Sequence, residues 1–339
     1  MAADSRAATY NHKDYIVSFL YREVILRIQQ LRYLSEIARR DLSVSAAAEA
    51  LHTSQPGVSR QVKDLEDELG VAIFVRHGKR LTGLTEPGRA MLTIAERILA
   101  EVANLKRAGQ EFANEKLGSL TIATTHTQAR YALPRAVAAF KRKYPDVQLV
   151  IHQGNPTQIC EMVLRAEAEF AIATEQIAEY PELVSLPCYQ WNRCVVVPAR
   201  HPLTRVKPLT LEAVARYPIV TYDFAFANRS LVEKAFEQRG LQPKVVLSAL
   251  DADVIKTYVE LGLGVGIMAA MAFNARRDAG LKALDAAHLF ESSTTRLGIK
   301  RGAYLRRYAY EFIEMFAPHL PRSIVEPEVT GAEGSRYEL

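Results

Sequence analysis

Residues 53–70, TSQPGVSRQVKDLEDELG, carry both ends of one helix in a single stretch, and nothing else in the chain restricts its fold as tightly. Ser54 is a hydroxyl N-cap, able to accept from a backbone N–H that the first helical turn leaves unpaired. Pro56 falls inside that turn, where its missing N–H does no harm, and Gly70 supplies a left-handed residue to end the helix. Two helical stretches precede it. In QQLRYLSEIARR, Leu31, Leu34, Ile37 and Ala38 recur at helical spacing; SVSAAAEALH starts on a hydroxyl, Ser43 or Ser45, and runs into alanines. Helix, helix, short turn, helix is a helix-turn-helix order.

Recognition helices present their N-terminal side chains to base edges in the major groove, and Ser54, Gln55, Ser59 and Arg60 are of the types that bond bases or phosphates. Pro56 and Lys63 lie in the same helix, and the acidic cluster Asp64, Glu66, Asp67 and Glu68 falls toward its other end. Next, VAIFVRHGKRLTGLTEPG gives two short strand-like runs around a basic tip, a wing whose Arg76, Lys79 and Arg80 would reach phosphate or the minor groove. Such contacts add affinity and salt dependence without choosing sequence. From Glu86 to about Asn114 a long helix follows. Its Met91, Ile94, Ile98, Val102 and Leu105 form an apolar row suited to pairing with a second copy.

Beyond Gly118 the texture changes. SLTIAT, VQLVIHQ, EFAIAT and RCVVVPA read as strands, with helices over about 128–144 and 157–166, which predicts an α/β unit with a largely parallel sheet. A second such unit starts near Cys188, and the strand TTRLGIK and the helix AYLRRYAYEFIEMFAPHL return to the first. The tail after Pro321 is polar and is expected to fray.

The 339-residue length suits two or three domains, and 49% hydrophobic with 24% charged residues is an ordinary globular balance. A net charge of +5 permits an acidic partner without demanding one. Cys160, Cys188 and Cys194 show no CxxC spacing, so neither a disulfide framework nor a zinc knuckle is expected, and the three read as buried small apolar residues in a reducing cytoplasm. No apolar run is long enough to span a bilayer, and YIVSFLY (15–21) lacks a signal-peptide cleavage site, so no membrane partner is expected.

TTHTQ, residues 124–128, poses the functional question. If SLTIAT is the first strand, Thr124 to Gln128 sit at its carboxyl end and at the start of the next helix, where open α/β sheets bind ligands and free N–H groups favour an anion. Thr174, ending FAIAT, points into the same crevice. A plain N-cap role for Thr125 or Thr127 is the alternative. A catalytic His126 would need a nucleophile and an orienting carboxylate, but no G-x-S-x-G elbow or H-E-x-x-H spacing exists, so His126 is read as a structural residue, hydrogen-bonded at the crevice edge. No catalytic, metal or cofactor site is expected. The glycines of LGLGVGIM follow a helix and enter a strand, the reverse of a dinucleotide loop, and are read as a turn. Asp251 and Asp253 read as a helix start. Tyr189 and Trp191, near the crossover between the halves, either close on a ligand or pack.

From about Ile28 to Leu320 the chain resembles a LysR-type transcriptional regulator, through QQLRYLSEIA, AAEALHTSQPGVSRQVKDLEDELGVAIFVR and the TEPG opening the long helix. Within the family it is most similar to the subgroup that governs the cysteine regulon and sulfonate utilisation, through ATTHTQARYALP, HQGNPTQI, FAIATE, LPCYQWNR, DADVIKTY and APHL. The resemblance implies an α/β protein with an N-terminal winged helix-turn-helix, a linker helix and a two-lobed effector-binding domain of the periplasmic-binding-protein type. It implies promoter DNA and RNA polymerase as partners, a homotetramer, and a small effector: sulfate, thiosulfate, an acylated serine or adenosine phosphosulfate. It places Thr125, Thr127, Gln128 and Thr174 around that effector. Where the subgroup reads FGFTGRS this chain reads FAFANRS, so Ala227 loses a hydroxyl from the second lobe, for which Asn228 is a candidate substitute.

The expected domains are a disordered leader over 1–25, a DNA-binding head over 26–85, a linker helix over 86–117, and an effector domain over 118–320. Its lobe I comprises 118–187 and 291–320, its lobe II 188–290, and a tail fills 321–339. In the resembling family synthesis begins two residues before the match to Ile28, so the leader is expected to lie upstream of a native start at Leu26. A solute-binding module and an α/β enzyme are the rivals; the complete recognition helix speaks against the first and the missing nucleophile and base against the second.

Overall fold

The computed structural model describes residues 26–78, 80–113, 117–223 and 227–331. The leader over 1–25 and Lys79 lie outside the described residues. The chain divides into two compact units, one up to Ala103 and one from Asn104 onward.

The first unit opens with helices α1 (Ile28–Arg39), α2 (Val44–Ala50) and α3 (Gln55–Leu69). Ser43 is the residue that caps α2, accepting from the Ala46 N–H at 3.2 Å, and Ser54 caps α3 through the Gly57 N–H at 3.3 Å. Gly70 ends α3 in the left-handed region, φ 70°. One core joins the three helices: Leu34, Ile37, Val58, Val62 and Leu65 are all buried in it. The wing follows as strands β1 (Phe74–His77) and β2 (Arg80–Leu84), paired antiparallel. Thr85 then caps the long helix α4 (Glu86–Ala113), its hydroxyl accepting from the Gly88 N–H at 2.9 Å. A Cβ on Gly88 would stand 2.0 Å from the Ile73 carbonyl oxygen, so this helix can only approach the wing through glycine. Along α4, Met91 packs against the core of the head rather than joining the apolar row, because Ala95, Leu92 and Leu99 carry it to that side. Ile94, Ile98 and Leu105 of the row are exposed.

The second unit is built on two five-stranded sheets. Lobe I has the order β4-β3-β5-β12-β6, with β3 (Gly118–Thr124), β4 (Val147–Gln153), β5 (Phe170–Ala173), β6 (Leu183–Trp191) and β12 (Ser293–Lys300). Lobe II has the order β11-β7-β10-β8-β9, with β7 (Arg193–Pro198), β8 (Ile219–Tyr222), β9 (Val245–Ala249), β10 (Val265–Ala269) and β11 (Leu281–Asp285). In each sheet three strands pair in parallel; β12 in lobe I and β7 in lobe II run against them, and the edge strands β6 and β11, paired antiparallel to β12 and β7, return to the direction of the three. The sheets are thus mixed rather than largely parallel, since the first strand after each crossing between the lobes runs against the parallel core.

Helices α5 (Leu133–Lys143) and α6 (Pro156–Leu164) flank lobe I; α7 (Leu211–Val214), α8 (Ala227–Glu237) and α9 (Ala252–Glu260) belong to lobe II; and α10 (Arg307–Phe316) returns to lobe I, meeting α5 through the edge-on pair Phe140 and Phe312. The crossings fall at Asn192 and between β11 and β12. Cys188 therefore does not open lobe II as expected: β6 pairs with β12 as far as Trp191 with Ser293, so LPCYQW stays in lobe I. The segment after Pro321 also departs from its expected fraying. Arg322–Thr330 form helix α11, because Val325 and Val329 share one helical face and bury into the lobe I core.

Candidate functional site

The two candidate surfaces are built differently. On α3, Val58, Val62 and Leu65 face the core, which turns Gln55, Pro56, Arg60 and Lys63 outward; Ser54 is exposed and Ser59 half-buried. The Gln55 amide donates to Ser59 Oγ at 2.9 Å, so these two side chains are pre-ordered at the helix start. Ser54 Oγ already caps the helix. Arg76 is not a free wing cation: its guanidinium donates to Glu66 Oε2 at 2.6 Å, while Glu66 Oε1 accepts from the Ile73 and Phe74 N–H groups at 2.8 and 3.1 Å. Glu66 is thereby the residue that hangs the wing on the recognition helix. Its place in an acidic cluster gave no sign of this. Arg80 is exposed, with no ion pair among the described residues.

In the effector domain, TTHTQ leaves the carboxyl end of β3 and starts a helix. Thr124 is structural, its hydroxyl donating to the Ile172 carbonyl at 2.8 Å. Thr125 is buried and its carbonyl accepts from the Ala129 N–H at 3.0 Å, which starts the helical turn. Thr127 makes no side-chain cap, so the plain N-cap reading fails for it; its hydroxyl shares a hydrogen bond with the Tyr222 hydroxyl, which also accepts from the Ala269 N–H at 3.3 Å. Gln128 is 1% exposed. Its amide donates to Thr295 Oγ1 at 2.9 Å and accepts from the Tyr189 hydroxyl, so both ends of the amide are engaged inside lobe I. Burial pushes the Tyr189 and Tyr222 hydroxyls up to about 12, which keeps both as neutral donors at neutral pH.

Thr174 follows β5 and is 3% exposed, yet its hydroxyl has no hydrogen-bond partner among the described residues. The indole N–H of Trp191, the last residue of β6, is likewise buried without a partner. Buried donors are ordinarily paired, and each exception calls for a reason. Arg193 lies 5.3 Å from the Trp191 ring centroid, donating to the Glu291 carbonyl and to Ser293 Oγ, both at 2.8 Å. Burial lowers its pKa while the Glu175 carboxylate opposes that. The cation is consumed in closing the crossing between the lobes.

His126 is half-buried and makes no hydrogen bond among the described residues, so it is not the hydrogen-bonded crevice residue that was expected. Ala227 starts α8, but its side chain and residues 224–226 lie outside the described residues. Asp251 does start a helix, accepting from the Asp253 and Val254 N–H groups at 2.9 Å. LGLGVGIM is a turn into β10, with Gly262 at φ 84°. Cys160, Cys188 and Cys194 are buried, and burial pushes each thiol up to about 12. Among the described residues no helix is long and apolar enough to cross a membrane.

Thr295, Tyr222 and Arg193 escaped the sequence reading. Thr295 sits in a strand that returns from the far end of the chain, and only the pairing of β12 with β6 brings it to Gln128.

Residues 28–89 match the model of the bacterial regulatory helix-turn-helix proteins of the lysR family, and residues 113–321 match the LysR substrate binding domain. The chain is 55% identical to the HTH-type transcriptional regulator CysB of Burkholderia cenocepacia, over 93% of this chain and 100% of that protein. It is 54% identical to the HTH-type transcriptional regulator SsuR of the same organism, over 90% of this chain and 98% of that one. The crystal structure of the cofactor-binding domain of the Cbl transcriptional regulator superposes with a TM-score of 0.61 at 42% identity, covering 64% of this chain and 95% of that one. The capped third helix, the wing hung from it and the two-lobed domain agree with these matches, which place the chain in the LysR family of helix-turn-helix transcriptional regulators.

Proposed function

We propose that this regulator senses a small sulfur-related oxyanion, or an acylated serine, in the cleft between its lobes, and uses that signal to control promoters of sulfur assimilation genes. The observation that carries the reading is the Thr174 hydroxyl, buried and unpartnered at the carboxyl end of a strand beside the one that ends in TTHTQ. A buried hydroxyl left unmade costs about 1–3 kcal/mol, and a ligand oxygen is the partner that recovers it. Thr125, Thr127 and the Trp191 N–H add neutral donors, and the engaged Gln128 amide holds its turn in place. Neutral donors at a helix start suit a fully ionised oxyanion, whose charge needs no counter-cation in the site. Ala227 leaves the lobe II contribution, and so the choice among sulfate, thiosulfate, acylated serine and adenosine phosphosulfate, to experiment.

At the DNA end, Ser54, Gln55, Pro56, Ser59, Arg60 and Lys63 meet the major groove, with Lys79 and Arg80 on backbone phosphate. The exposed row on α4 pairs two copies, and two pairs make a tetramer acting in the cytoplasm. Effector binding shifts the population of lobe arrangements, which alters DNA bending and contact with RNA polymerase. The subgroup likeness supports cysteine and sulfonate genes alike as targets.

Electrophoretic mobility shift on promoters of sulfate- and sulfonate-uptake genes tests the reading, together with calorimetric titration of the four candidate effectors. A shift that responds to one of them is expected. Thr127→Ala should weaken that effector at least tenfold, roughly 1.4 kcal/mol, and leave DNA binding intact. Absence of any shift at moderate salt, with and without effector, discards the reading.

A further inference from the structure

Residues 128–132 wind as one π-turn, the Leu133 N–H reaching back to the Gln128 carbonyl, and such wider turns concentrate at functional sites. This turn belongs to lobe I, yet it faces two ways. Gln128 is tied to its own lobe through Thr295 and Tyr189, whereas Tyr131 packs its ring against the buried cluster of lobe II that holds Val220, Tyr222 and Ile255. The Tyr131 hydroxyl donates to Asp253 Oδ1 at 2.8 Å and accepts from Lys256 Nζ at 3.3 Å, and the Lys256 ammonium stands 5.5 Å from the ring centroid. Lys256 is 8% exposed. Besides Tyr131 it serves the Ala272 carbonyl at 3.0 Å, Asp253 at 3.0 Å and Asp278 at 3.1 Å. Arg130, the neighbour of Tyr131, closes on the other oxygen of Asp253 at 2.5 Å.

We propose that Tyr131 is a peg from lobe I seated in a socket of Asp253, Lys256 and Asp278 on lobe II, and that this peg locks the lobes in register and so sets how tightly the cleft binds. The second half rests on the effector-site reading above; the lock itself does not. The socket is rigid on its own side, because Asp251 caps α9 ahead of Asp253 and Lys256, and Asp278 also accepts from the Asn274 N–H at 2.8 Å. Pulling the peg strips one acceptor from a buried ammonium and one donor from a carboxylate at once, and a buried network of this kind is favourable only when complete. It therefore has two states, seated and withdrawn. An effector that needs both lobes binds only the fraction of molecules in the seated state, so its apparent affinity follows that fraction. The π-turn carries peg and Gln128 together, so a shift at one end of the turn is felt at the other.

Two labels read the lock directly. The three native cysteines are buried, so spin labels on cysteines introduced at the exposed Arg142 of α5 and Glu237 of α8 report the distance between the lobes in the full-length protein. With doubly labelled copies diluted into an excess of unlabelled parent, so that distances between copies drop out, a single narrow distance distribution is expected by pulsed electron resonance. Tyr131→Phe keeps the ring and removes the hydroxyl; it should broaden the distribution or add a second distance, and Lys256→Met should do so more strongly. Thiosulfate and sulfate titrated calorimetrically should bind Tyr131→Phe about fivefold more weakly than the parent. Unchanged distances in both variants overturn the lock. Altered distances with unchanged anion affinity overturn its link to the cleft. If the parent binds neither anion, the inorganic-oxyanion part of the effector reading fails, while the ligand-free distances still decide whether Tyr131 locks the lobes.

Discussion

The third helix of the head and the cleft of the two-lobed domain are built in different ways. On α3 the working side chains lie within a few residues of one another, point outward, and bond mostly to their own helix, as Gln55 does to Ser59. In the cleft Gln128 is buried and Thr127 half-buried, and their partners come from far apart: Gln128 meets Thr295, and Thr127 meets Tyr222. Under the proposed function, the difference follows from the ligand. DNA is a large external anion that supplies its own shape, so the protein needs only an exposed face held at the right angle. A small effector must be desolvated, so its donors have to be buried and, until it arrives, some of them go unpaired.

The contrast can be broken most forcefully at the support beneath α3. Leu65 is fully buried, and Leu65→Ala should cost about 3 kcal/mol in the head, abolishing promoter binding near its melting temperature while effector affinity stays at the parent value. Differential scanning calorimetry and effector titration of the same preparation check it. Loss of effector binding alongside would show that the two regions are not separable.

In the cleft the sign for stability reverses. Thr174→Val removes a buried hydroxyl that has no partner, so the unliganded protein should be as stable as the parent or more so, while effector affinity falls about tenfold, roughly 1.4 kcal/mol. A loss of melting temperature with unchanged affinity would mark Thr174 as structural.

The wing separates phosphate contact from support. Arg80→Ala should lower the slope of log affinity against log salt by about 0.9, equally for specific and random DNA, because one released counterion is lost. Arg76 is held by Glu66 at 2.6 Å, so Arg76→Ala should leave that slope nearly unchanged. Equal slopes in the two variants would mean that Arg76 leaves Glu66 when DNA binds.

The smallest effect is expected in acid. Burial raises the Asp253 carboxyl, but the Tyr131 hydroxyl and the Lys256 ammonium outweigh it and hold it below 3.8. A depressed carboxyl contributes stability above its unfolded value, and that contribution is lost as pH falls through the folded one. The melting-temperature difference between the parent and Asp253→Asn should therefore be constant from neutral pH down to about 5 and shrink below 3.8. A difference that instead grew in acid would remove Asp253 from the lock.

The head was almost wholly legible because its signals are local. Ser43, Ser54, Pro56 and Gly70 act on backbone groups within one turn of themselves, and the structure uses each as a helix boundary. Less local readings fared worse in proportion to distance. Met91 belongs to the head core rather than the apolar row, LPCYQW belongs to lobe I, and the supposedly frayed end is a helix docked by Val325 and Val329. In the cleft, the place of TTHTQ at a strand end was readable, but the partners of its side chains were not.

By itself the sequence determined where helices start and stop, that a basic hairpin follows the third helix, and that hydroxyls gather where a strand meets a helix. Those are consequences of capping, periodicity and chirality, which act over a few residues. Only the tertiary structure decided that Glu66 hangs the wing, that Gln128 braces the cleft through Thr295, that Thr174 is left unpaired, and that Tyr131 crosses into lobe II. Each depends on which distant strand lies beside which. That choice is set by the burial of whole sheet faces, so no short stretch of sequence carries it.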